Sequence, residues 1–180
     1  MPKNILVLAG SPRINGNTDM ICDALIEGAE QNGNQVTKIH LGRLNISGCT
    51  GCDYCLSHNG QCSIRDDMDI VYPALDQADV IVFASPIYFF SMSAQLKAVI
   101  DRFYPRAYTG YHCKQSIFLT VCGDSNASVM DPAIASYKMI ADYMGCEDIG
   151  IIGVTNVNAK GDILNHPSLE KARQLGATIK

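Results

Sequence analysis

The stretch CTGCDYCLSHNGQC places Cys49, Cys52, Cys55 and Cys62 within fourteen positions. Thiolates are soft ligands and good nucleophiles, so a set this dense can hold an iron-sulfur cluster or zinc, close a disulfide, or stay as free thiols. The opening C-x2-C-x2-C matches the first three ligands of a bacterial ferredoxin run. The fourth cysteine comes only after six further residues, and Ser63 rather than Pro follows it, so the full ferredoxin run is absent. Structural zinc sites pair two widely separated C-x2-C units, which this pattern does not do. Cys22, Cys113, Cys122 and Cys146 stand alone and are expected to pack as small apolar side chains.

A second chemical feature is GSPRINGNT, residues 10–18, rich in small hydrogen-bonding groups: Ser11, Asn15, Asn17, Thr18 and the backbone amides between them. Amides at the start of a helix point outward and carry the positive end of its dipole, so this stretch reads as an anion cradle to which Arg13 adds charge. It is not a Walker A loop, because five residues separate Gly10 from Gly16 and Asn17 follows where Lys is required. Nor does it carry the G-x-G-x-x-G spacing of a dinucleotide site. Further on, SPIYFFSMSAQLK sets Tyr88, Phe89 and Phe90 in a row; three consecutive rings cannot all point inward, so a flat ligand or another subunit is expected against at least one. CGDSNAS, from Cys122, adds a third polar turn. A phosphate cradle beside a flat wall suits a mononucleotide with a planar head.

The elements that must position these turns are strand-length apolar runs at 4–9, 35–41, 79–85, 116–122 and 148–154, with helical stretches between them. Several are nearly continuous in Val, Ile, Leu and Phe, as for parallel strands covered on both faces. Five β-α units predict an α/β, three-layer, doubly wound five-stranded parallel sheet of flavodoxin-like order 2-1-3-4-5, whose ligand sits at the carboxyl ends of the strands. The turns after strands 1, 3 and 4 are the three just described. Helix 1 is expected to open with Thr18 as its cap. A cysteine-rich loop at 42–66 interrupts the alternation and is long enough to suggest function. After it, Asp66 or Asp67 can cap a helix that Pro73 should kink or delay. Lys97 and Asp101, four apart, read as a surface ion pair. His40, His58, His112 and His166 are scattered, and none is nominated as a catalyst.

With 47 % apolar and 18 % charged residues the 180-residue chain reads as one domain. The net charge of -4 gives no basic footprint for nucleic acid. No apolar run is long enough to span a bilayer, and the opening MPKNILVLAG is too short in its apolar part for a signal peptide, so a cytoplasmic location without membrane partners is expected.

Taken together, GSPRINGNT, GCTGCDYC with its fourth cysteine and DDM, SPIYFFSMSAQLKAVIDR and NAKGDI resemble the NADPH-dependent FMN reductase superfamily, in particular its iron-sulfur flavoprotein-like branch. The resemblance implies FMN, its phosphate held by Ser11, Arg13, Asn17 and Thr18, its ring against Pro86, Ile87, Tyr88 and Phe89, with Cys122, Gly123 and Asp124 closing the other side. NAD(P)H would be the electron donor and a quinone, a flavin or another small molecule the acceptor. The alternative it implies is an electron-transfer protein exchanging electrons with ferredoxin through a 4Fe-4S cluster on Cys49, Cys52, Cys55 and Cys62. It also implies a homodimer or homotetramer.

Overall fold

The computed structural model describes residues 1–180. Its strands are β1 (Asn4–Ala9), β2 (Gln35–His40), β3 (Val80–Tyr88), β4 (Ser91–Met92), β5 (Gln115–Val121) and β6 (Glu147–Val154). Five of them run parallel in the order β2-β1-β3-β5-β6, the expected winding. The sixth, β4, was not expected; it folds back antiparallel on the end of β3, with Ile87 facing Met92 and Tyr88 facing Ser91.

The helices are α1 (Asn17–Gln31), α2 (Tyr54–Ser57), α3 (Met68–Gln77), α4 (Ala94–Asp101), α5 (Tyr104–Thr109), α6 (Asp131–Met144) and α7 (Ser168–Thr178). Strand side chains alternate between two faces, and both faces are covered. Leu6 and Leu8 of β1 join a core with Val71, Leu96 and Tyr137 from α3, α4 and α6. Ile5 and Val7 join the opposite core with Ile21 and Leu25 of α1 and Ala172 of α7. That is why the strands read as continuous apolar runs. Helices α1 and α7 cross at Gly28 and Gly176, where a Cβ on either residue would overlap the backbone of the other helix.

Three local expectations are corrected. Helix α1 starts one residue earlier than Thr18, and its N-cap is Gly16, which has no side chain to cap with. Helix α3 is not delayed by Pro73 but runs through it; the carbonyl that proline leaves unpaired belongs to Asp69, which is exposed and open to water. Cys113 and Cys146 are not isolated: they form a disulfide, Cα to Cα 6.2 Å. Each precedes a strand, and the parallel pairing of Gln115 with Glu147 draws the two together.

Candidate functional site

The β1–α1 turn is built by close approach. Gly10 donates its N–H to the Ala84 carbonyl at 2.7 Å and accepts from the Ser93 hydroxyl at 2.7 Å. A Cβ at Gly10 would press on Leu96 and on the Ala84 carbonyl, so only glycine lets α4 lie this near. The chain then curls: the Arg13 N–H donates to Ser11 Oγ at 3.1 Å, and Asn15, at φ 55°, donates its N–H to Asp19 Oδ2 at 2.6 Å. Because Gly16 offers no cap, the amides of Asn17 and Thr18 have no side-chain partner at the mouth of α1. Asp19 is itself buried, with Lys38 Nζ and His40 Nδ1 each 3.3 Å from its Oδ1.

Around that mouth lies a cavity of about 230 Å³. It gathers most of the expected residues: Ser11, Arg13, Asn17 and Thr18 from the first turn, Pro86, Ile87 and Tyr88 from the end of β3, and Cys122 and Gly123 from the end of β5. Its only charged lining side chains are Arg13 and Lys160, both cations. Phe89 and Asp124 are not among the lining residues. Phe89 is 99 % exposed at the tip of the β3–β4 hairpin, and Asp124 closes its own turn by accepting from the Asn126 N–H at 2.8 Å. Burial pushes the Cys122 thiol above its ordinary value.

The fourth wall was missing from the sequence reading. Val157, Asn158 and Lys160, between β6 and α7, line the same cavity. Asn17 fastens this segment: its Oδ1 accepts from the Gly161 N–H at 3.0 Å, and its Nδ2 donates to the Ala159 carbonyl at 2.8 Å. The Arg13 guanidinium adds a bond to the Asn158 carbonyl at 3.1 Å. The Asn17 Oδ1 and one Nδ2–H are therefore used on the wall, and its backbone amide and second Nδ2–H are what it can offer to an anion. The signal was available, since these residues follow β6 at the same carboxyl edge as the other turns.

A larger cavity, about 640 Å³, lies between α4, α5 and α6. Its lining is mostly apolar, with Asp101 its single charged group, so volume and chemistry disagree; convergence of polar groups, not size, marks the functional site.

The four clustered cysteines also meet. Cys49, Cys52, Cys55 and Cys62 line one small cavity of about 20 Å³, shared with Arg102 and Tyr104. All four are free thiols; Cys49 and Cys52 are exposed and Cys55 is buried. A hydrogen bond with Ser63, 3.3 Å away, leads the interactions that hold the Cys52 thiol below its ordinary value, whereas burial raises that of Cys55. No three His, Cys, Asp or Glu side chains are grouped to hold a single metal ion. Arg102 clamps the loop's two ends. Its guanidinium donates to the Ser47 carbonyl at 2.9 Å, the Ile64 carbonyl at 3.3 Å and both Asp66 oxygens at 2.8 and 3.2 Å. Burial alone would raise the Asp66 pKa, but the Arg102 hydrogen bonds, with the N–H groups of Ser47 and Met68, hold it below the ordinary carboxylate value.

Fold and site define a flavodoxin-like protein with an anion cradle and a flat wall at the carboxyl edge of its sheet. Within that class, the family described as NADPH-dependent FMN reductase matches residues 3–141. The chain belongs to this family, and with it to the oxidoreductases. It is 33 % identical over 178 residues to an iron-sulfur flavoprotein of Archaeoglobus fulgidus, a match spanning 96 % of this chain and 76 % of that one. It is 35 % identical over 101 residues to the iron-sulfur flavoprotein MJ1083 of Methanocaldococcus jannaschii, spanning 56 % of this chain and 52 %, about half, of that one. In structure it is similar to an NAD(P)H:quinone oxidoreductase from Methanothermobacter marburgensis, with a TM-score of 0.78, 19 % identity, and coverage of 98 % of this chain and 96 % of that one, a likeness of fold.

Proposed function

We propose that the chain is an FMN-dependent oxidoreductase taking electrons from NAD(P)H and passing them to a quinone, a flavin or another small acceptor. The observation that carries this is the cavity at the mouth of α1, where an uncapped helix start, two cations and no carboxylate face a wall of Pro86, Ile87 and Tyr88. These residues fit FMN. Ser11, Arg13, Thr18 and the amide of Asn17 would hold its phosphate, and Pro86, Ile87 and Tyr88 its ring, with Phe89 on the adjoining tip. Cys122, Gly123 and Asp124 would close the far side. Bound there, FMN would supply the hydride and electron chemistry. The chain's own part is to hold the phosphate against a helix dipole, fix the ring and keep water off one face. No helix is long and apolar enough to cross a membrane; we assign the protein to the cytoplasm, as a homodimer or homotetramer whose exposed aromatic tips meet a neighbouring copy. The test is titration of apoprotein with FMN, followed by anaerobic NAD(P)H oxidation with and without a quinone. Absence of FMN binding would overturn the reading.

A second reading is supported by the shared cavity of Cys49, Cys52, Cys55 and Cys62: an electron-transfer protein with a 4Fe-4S cluster on these thiolates and ferredoxin as partner. Four thiolates are the right donors in kind and number, but as they stand they are not grouped to hold a metal. The space between the thiols is that of about one water, so seating a cluster requires the exposed Cys49 and Cys52 to open outward. Anaerobic reconstitution should then incorporate about four irons per chain, and Cys52→Ser should abolish this while leaving FMN bound. Protein that keeps FMN but takes up neither iron nor sulfide eliminates this reading and leaves a plain flavin reductase.

A further inference from the structure

Asp19 sits in the first turn of α1 and is 1 % exposed, yet neither it nor Asn15 lines the cavity that Gly16, Asn17 and Thr18 border. An acid at this position is ordinarily explained by the helix dipole or by a capping box, in which the third helical residue accepts from the N–H of the cap. That bond is not made. The cap, Gly16, gives its N–H to the Arg13 carbonyl at 3.3 Å, and the Asp19 carboxylate reaches one residue further back, to the Asn15 N–H at 2.6 Å. The bond from Gly16 to Arg13 closes a turn with Ile14 and Asn15 at its middle, and Asn15 takes a φ of 55°. Such a turn has two common forms that differ by a flip of the central peptide, here Ile14–Asn15, and the form present is the one with positive φ at its third residue.

A carboxylate only accepts. It holds the Asn15 N–H and would repel the Ile14 carbonyl that a flipped peptide puts in its place. We propose that Asp19 is the positioning residue of the phosphate turn: it selects the orientation of the Ile14–Asn15 peptide and so sets Ser11 and Arg13, before the turn, against Gly16, Asn17 and Thr18, after it. This rests on the FMN reading above. The charge of the acid is countered from β2, a strand that gives no residue to the cavity. Lys38 Nζ stands 3.3 Å from Asp19 Oδ1 and 2.7 Å from Asp23 Oδ1, with His40 Nδ1 at 3.3 Å from the same Asp19 oxygen. The acid can therefore sit behind an anion site without opposing the anion. A residue that only stabilised α1 would not need to reach Asn15.

The test titrates full-chain apoprotein with FMN and with riboflavin, which has the ring and no phosphate. It compares the parent, Asp19→Asn, and Asp19→Asn combined with Asn15→Gly. Asparagine keeps the size but donates as well as accepts, so it tolerates both peptide orientations; glycine takes positive φ without strain and returns the preference. Asp19→Asn should bind FMN about 10- to 100-fold more weakly, the cost of one hydrogen bond to a charged group, with riboflavin affinity unchanged. The added Asn15→Gly should recover most of that loss. In the parent, hydrogen exchange followed by NMR should show the Asn15 amide protected although the residue is exposed, a measurement that needs no variant to fold. Equal FMN affinity in parent and Asp19→Asn, equal losses of FMN and riboflavin, a loss that Asn15→Gly does not recover, or an Asn15 amide exchanging at the rate of a free loop would each overturn the proposal while leaving the FMN reading standing. No FMN binding by the parent would overturn both.

Discussion

Replacing Asp66 by Asn keeps the side chain's shape and removes its charge. The pair it forms with Arg102 is almost dry, the two side chains being 7 % and 1 % exposed. The Asp66 oxygens also accept from the N–H groups of Ser47 at 2.9 Å and Met68 at 3.1 Å. An amide offers one acceptor where these four donors need two, so its NH2 must face donors and the guanidinium loses its counterion. Breaking a buried pair in this way costs about 3–5 kcal/mol, a large share of the roughly 5–15 kcal/mol that holds a domain together. Urea unfolding followed by circular dichroism at neutral pH measures it. Because the folded-state pKa of Asp66 is depressed, its contribution is fully present above the unfolded value of about 4 and is lost as pH falls through the lower folded value. The gap between parent and variant should therefore be widest at neutral pH and close in acid. The surface pair Lys97–Asp101, with both side chains near half exposed, is the internal comparison, and Asp101→Asn should cost only about 0.3–0.5 kcal/mol. A cost at Asp66 below about 1 kcal/mol, or one that does not shrink in acid, would refute the claim that Arg102 depends on this carboxylate.

Ser11→Ala combined with Thr18→Ala should weaken FMN by roughly 2 to 4 kcal/mol, two hydrogen bonds to a charged group, in fluorescence titration of the apoprotein, with urea stability near that of the parent. Tyr88→Ala should change the bound-flavin spectrum or the rate of reduction by NAD(P)H in stopped flow more than it changes the urea midpoint; no change in spectrum or rate would make Tyr88 structural. Gly28→Ala should destabilise by about 1–3 kcal/mol through overpacking of the α1–α7 crossing, read as a lower thermal midpoint.

The five parallel strands were legible to within a residue or so at most ends, because buried parallel strands write themselves as unbroken apolar runs. The hairpin that adds β4 was not. A two-residue hairpin turn favours Asn-Gly because both turn residues take positive φ, whereas here Phe89 and Phe90 occupy it at φ 47° and 62°. Two bulky residues in that region give no turn signal, and the cost of holding them there, about 1–3 kcal/mol each, has to be met by the surrounding fold. In the cavity, residues at strand ends were legible because topology alone places them there. The second task of the Asn17 side chain, fastening residues 159–163, is not legible in GSPRINGNT, since nothing local shows that this segment comes within reach of it. The Cys113–Cys146 disulfide was hidden for the same reason: the 33-residue separation becomes a contact only once β5 and β6 are known to be neighbours.

The wall that Asn17 fastens comes late in the chain. Val157, Asn158 and Lys160 line the cavity from between β6 and α7, beyond the last strand. The β1–α1 turn and the end of β3 thus supply the cradle and the flat wall, while one side of the opening is drawn from the segment between β6 and α7, more than 130 residues further along the chain from the cradle. Two side chains of the β1–α1 turn, Asn17 and Arg13, fasten that segment, and backbone bonds from Asn156 and Val157 to the Asp124 and Cys122 carbonyls add to them. A cavity wall so distant in sequence forms only when the last strand is in place, so the opening is completed by the final third of the chain.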